Sequence, residues 1–162
     1  VRPQVSVLSG VLEQLVAAHK RLLAVCQQHT VALVNRDIAR IHSTTQKIEV
    51  ETAGIRALEA SRQQLAADVA RGLGLDTENI TLSRLLPHLN PQEATRLQRS
   101  ATQLGALMQA LAETNERNHR LLEQSLQYLT KTVEWVADSL GQTQYGPQVK
   151  RVVGGYMIDV KA

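Results

Sequence analysis

Cys26 and His29 lie three residues apart, and His119 and Glu123 four apart, spacings that put each pair on one face of a helix. A thiol with an imidazole, or an imidazole with a carboxylate, is half of a zinc site. Neither pair has two further ligands at comparable spacing. No HExxH, no glycine-rich phosphate loop and no nucleophile elbow occurs in the chain. The expectation is a protein that is not an enzyme and uses no metal or cofactor.

Amides are the next candidates. Leu97, Ala101, Leu104, Met108 and Leu111 recur at helical steps of four and three, and Asn115 and Asn118 occupy the next two positions of that seam. A buried asparagine costs stability unless its amide is paired, and it pairs fully in only one alignment. Two readings stay open: a layer that specifies register or partner, or two side chains facing water where helices part.

Beyond the asparagines the apolar pattern widens. Leu122, Leu126, Leu129, Val133 and Val136 continue the stripe, and Leu121, Tyr128 and Trp135 form a second row seven residues apart. A helix in a bundle needs about three apolar positions per heptad, and this segment has more. Either the rest of the chain buries the whole face, or the face is a groove for a partner's amphipathic helix, with Tyr128 and Trp135 as anchors.

Such side chains need long helices to hold them, and the composition supplies these. Of the 162 residues 43% are hydrophobic, yet 2% are aromatic and none is Phe. Leu, Val, Ala and Ile carry the apolar content, as in helices packed side by side. The net charge of +3 comes from 18 basic and 15 acidic residues that are mixed along the chain. Without a basic block, nucleic acid is not an expected partner. No apolar run is long enough for stable membrane insertion, and the opening VRPQVSVLSG lacks the pattern of a signal peptide. Cys26 is the single cysteine. These features set the expectation of a cytoplasmic protein.

The elements follow from periodicity and punctuation. Leu8, Leu12, Leu15, His19, Leu22, Cys26, His29 and Leu33 predict a helix over about 4–34, ended by a left-handed Asn35. Asp37 caps a second over about 37–71, which Gly72 and Gly74 close. A connector holds a short helix over 82–86, capped by Thr81 or Ser83 and stopped by Pro87. Asn90, Pro91 and Glu93 then open a third long helix over 91–140, ended by Gly141. The predicted fold is all-α: residues 1–140 form a single antiparallel bundle of three long, coiled-coil-like helices. Residues 141–162 make a non-helical tail, read as a weak hairpin or as a segment ordered by a partner.

The stretch TNERNHRLLEQSLQYL, followed by QYGP, resembles the signature of the FlgN family of flagellar export chaperones. The residues that carry the likeness are Asn115, Asn118, Leu121, Leu122, Glu123, Ser125 and Leu126, then Tyr145-Gly146 at the start of the tail. Asp37 and the connector LSRLLPHL (82–89) also fit, whereas Asn35-Arg36 stands where the family has a glycine before the aspartate. The resemblance implies a cytoplasmic chaperone for the hook-associated proteins of the hook–filament junction. It would bind their C-terminal region, prevent premature assembly and deliver them to the flagellar type III export apparatus. It further implies that Tyr145 and Gly146 contact the cytoplasmic domain of the export gate. The reading from residues alone leaves a rival, a structural coiled-coil scaffold whose stripe is buried in a homodimer.

Overall fold

The turn at Arg36–Asp37 fixes the first half of the structure. In the computed structural model, which describes residues 2–78 and 80–142, it joins helix α1 (Arg2–Asn35) to helix α2 (Ile38–Gly72). Arg36 sits at φ 53°, in the left-handed region. The N–H groups of Arg36 and Asp37 donate to the carbonyls of Leu33 at 3.2 Å and Ala32 at 3.0 Å, the paired return bonds of a Schellman ending. The left-handed residue is thus Arg36 and not Asn35, because α1 keeps its helical course through the asparagine. Asp37 then caps α2, its carboxylate accepting from the Arg40 N–H at 3.0 Å.

α2 ends the same way. Gly74 adopts φ +70°, and the Leu75 N–H returns to the Ala70 carbonyl at 2.9 Å. Side-chain bonds set the helix directions. Arg21 pairs with Glu51, and His29 with Thr44, so α2 retreats as α1 advances. Glu13 pairs with Arg96, and Thr30 with Asn118, so the first part of the last helix runs parallel to α1.

The connector adds to the core. Helix α3 (Leu82–Leu85) passes directly into a 3₁₀ turn, Leu86–His88, so Pro87 is accommodated in that turn and does not stop the helix at Leu86. Thr81 holds the capping position of α3 through its backbone, with no side-chain bond. Leu85 is fully buried with Leu8 and Leu15 of α1, Val69 and Ala70 of α2, and Leu97 of the last helix. A helix α4, Pro91–Gln142, follows, opened by Asn90 Oδ1 accepting the Glu93 N–H at 2.8 Å. It is described through Gln142, so Gly141 lies inside it. Among the described residues there is no strand, and none of the helices is long and apolar enough to cross a membrane. The chain divides into two compact units, Val1–Asn118 and His119–Ala162.

Candidate functional site

The seam of α4 within the first unit differs in one respect from the predicted one. Leu97, Ser100, Leu111 and Asn118 are buried and Leu104, Leu107 and Thr114 are half-buried, whereas Met108 is 56% exposed and Asn115 is exposed. The predicted positions 108 and 115 are one residue too far along, while Ala101 is half-buried beside Ser100: steps of three then four from Leu97 reach 100, 107 and 114 instead. Serine and threonine at 100 and 114 read as surface residues, which hid them.

Asn118 is therefore the seam asparagine, 8% exposed, while Asn115 stands on the surface. The Thr30 hydroxyl lies 2.6 Å from Asn118 Oδ1 and 3.0 Å from the Cys26 carbonyl. Its single proton goes to the closer amide oxygen, and Asn118 Nδ2 donates to that same carbonyl at 3.1 Å. The amide thus has an acceptor and a donor partner on two adjacent turns of α1. A leucine at 118 would leave the Thr30 hydroxyl without this acceptor.

The two half-sites for a metal have other partners. Burial pushes the Cys26 thiol up, away from the thiolate a metal needs. The Thr44 hydroxyl donates to its own helix at Arg40, 2.7 Å away, and so accepts from His29 Nδ1 at 2.7 Å. His119 Nε2 meets Glu123 at 3.3 Å on the exposed face. Among the described residues no group of three or more His, Cys, Asp or Glu side chains is placed to hold a metal.

His29 carries a pH dependence. Burial lowers its pKa from the ordinary 6.5, so below that pH the unfolded chain binds the proton more readily than the folded one. Its contribution to stability is complete above pH 6.5 and is lost as pH falls from there through the folded pKa. His29→Gln is expected to flatten the decline of Tm between about pH 7.5 and pH 5.5 relative to the unmodified protein. An unaltered slope would contradict this assignment.

The connector creates a concavity that helix periodicity did not reveal. An apolar cavity of about 260 Å³ lies among Leu8, Leu12, Ala66, Ile80, Leu104 and Met108, with Arg62 as its charged lining residue. Glu59 pairs with that guanidinium at 2.6 Å, and the hydrogen bond from Arg62 holds the Glu59 carboxyl below its ordinary range. The cavity contains no nucleophile or proton-transfer group.

In the second unit the apolar stripe faces solvent. Leu122, Leu126, Leu129, Val133 and Val136 are exposed, with Leu129 at 58%; Tyr128 is exposed too, and Trp135 is 69% exposed. Leu121 is half-buried. At 100° per residue, the first five lie within an arc of about 80° on the helix, and Tyr128 and Trp135 form a separate row about 80–100° beyond its edge. Between the rows, Ser125, Thr132 and Ser139 turn their hydroxyls back to the carbonyls of Leu121, Tyr128 and Trp135 at 2.9, 2.9 and 2.8 Å. Each donor is satisfied within the helix, so these residues add little demand for polar partners to the face. An exposed apolar stripe of this breadth is suited to receiving another apolar surface. Tyr145 and Gly146 lie outside the described residues.

No curated protein and no solved structure matches the chain. A family model described as FlgN protein does match, over residues 4–151, which takes in α1 through α4 and the stripe. The chain belongs to the FlgN family, the flagellar chaperone family.

Proposed function

We propose that the protein is a cytoplasmic flagellar export chaperone that binds the C-terminal region of hook-associated proteins. It keeps them from assembling prematurely and delivers them to the type III export apparatus. The FlgN family is a chaperone family and not an enzyme family. The observation that supports the client site is the exposure of Leu122, Leu126, Leu129, Val133, Trp135 and Val136 on one helix. Leu121 and Tyr128 complete the proposed client-binding set.

The proposed mechanism follows from the chemistry of that face. A client segment without fixed structure folds as an amphipathic helix and lays its apolar side along the stripe. Ordering the segment costs about 2–5 kcal/mol of the gross interaction, which keeps affinity moderate and allows release during export. Asn118 sets the register of α4 on α1, and Asn115, exposed on the same helix, is left to the specification of a partner. Tyr145 and Gly146 are proposed to contact the export gate.

Circular dichroism of a mixture tests this reading. A C-terminal peptide of a hook-associated protein from the same genome should gain helix on mixing, beyond the sum of the separate spectra. A spectrum equal to that sum at saturating peptide would contradict it. The scaffold alternative requires an obligate homodimer, so a monomer by light scattering argues against that alternative.

A further inference from the structure

The exposed stripe of the second unit has two unlike edges. At 100° per residue, Glu123 and Glu134 stand about 60–80° beyond one edge of the arc that holds Leu122, Leu129 and Val136. Tyr128 and Trp135 stand about as far beyond the other edge, which carries no charged residue over 119–142. Both glutamates are exposed. Glu123 meets the His119 ring at 3.3 Å, and Glu134 forms no ion pair among the described residues. Lys131, the only basic residue over 121–142, lies on the opposite side of the helix from the stripe.

A helix laid on the apolar arc brings its own flanking residues beside these carboxylates. Charges that flank an apolar seam choose among partners that share the same apolar pattern. Lysine or arginine on that side of the partner meets Glu123 and Glu134, whereas aspartate or glutamate is repelled. A second copy of this chain fits poorly. Packed antiparallel, it sets the two carboxylate rows against each other; packed parallel, it lays them over the aromatic edge.

We infer that the stripe selects an amphipathic partner helix with Lys or Arg along one edge of its apolar face and neutral residues along the other. This rests on the reading of the stripe as the client site, and it names the chemistry of the segment that site takes. Apolar burial supplies the affinity, and the edge formed by Glu123 and Glu134 discriminates among helices of similar apolar pattern. Charges at such a rim act mainly on association rate and on salt dependence.

The test uses the full chain and two designed helical peptides with the same leucine heptad, one bearing lysines and the other glutamates along one edge. By calorimetry at low salt, the unmodified protein should bind the lysine peptide roughly fivefold more tightly, and the margin should shrink at high salt. Glu123→Lys combined with Glu134→Lys should reverse the preference. Asp138→Lys, the same kind of charge change farther round the helix, should leave it in place. All three positions are exposed, so thermal unfolding should show the fold intact. Equal affinity for the two peptides, or none for either, overturns the inference; the client site stands if the C-terminal peptide of a hook-associated protein still binds. A reversal by Asp138→Lys alone assigns the preference to net charge, and the inference fails. The expected reversal with no binding of the hook-associated peptide supports the selective edge and instead overturns the client reading.

Discussion

Alanine at both Leu129 and Trp135 is expected to weaken binding of a hook-associated C-terminal peptide by at least a hundredfold, with helix content and Tm preserved. Both side chains are more than half exposed in the free protein, so removing them opens no internal cavity. In the proposed complex each would be buried, and full burial of such a side chain stabilises by about 1.5–3 kcal/mol. The pair together thus accounts for about 3 kcal/mol or more, and 2.7 kcal/mol is already a hundredfold in Kd. Calorimetry with the purified variant checks the loss, and thermal unfolding checks that the fold is intact. Binding within threefold of the unmodified protein would remove these residues from the client site.

The second large effect concerns stability. Asn118→Asp keeps the size of the side chain but replaces the donor that meets the Cys26 carbonyl with a carboxylate oxygen. The position is buried, so the charged form faces a carbonyl oxygen where it had a hydrogen bond. The expected loss is about 3 kcal/mol at neutral pH, in the range for an uncompensated buried charge. The sign with pH is defined. A carboxyl whose folded pKa is raised above its unfolded value contributes stability below the unfolded pKa and loses it as pH rises through the folded one. The deficit relative to the unmodified protein should therefore shrink as pH falls from 8 toward 5. Asn118→Asp with an unaltered Tm at pH 8 would show that the amide does not set the register of α4 on α1.

Much of this was legible in the residues, and the remainder was not for identifiable reasons. The heptad of Leu8, Leu12, Leu15, Cys26 and Leu33 marked the buried side of α1, because large apolar side chains at that spacing have few other uses. Asp37 and Asn90 were readable as caps because a short polar side chain before an amphipathic run can satisfy N–H groups locally. The seam of α4 was harder. Its inner positions include Ser100, Thr114 and Asn118, so an alternation that steps four and then three from Leu97 led to Met108 and Asn115 on the wrong flank. Arg36 in the left-handed region was hidden because Asn35 beside it is the usual occupant of such a site. The connector's place in the core depends on long-range packing of Leu85, which no local pattern encodes.

The stripe itself was legible as an excess. Leu122, Leu126, Leu129, Val133 and Val136 supplied more apolar surface than a bundle helix requires, and surplus of that kind reads as a binding face. Whether other helices covered it was a question of tertiary packing. Its residues are exposed, and that exposure is what makes the client site a physical proposal and not a pattern alone.

Trp135 is the only tryptophan, stands 69% exposed and lies within the proposed client site. Its emission during titration with the C-terminal peptide of a hook-associated protein is the most direct test of the central claim. The account predicts a saturable shift to shorter wavelength, as the indole leaves water, with no shift for a scrambled peptide of the same composition. Emission that stays constant in wavelength and intensity, with no heat of binding by calorimetry, would contradict it.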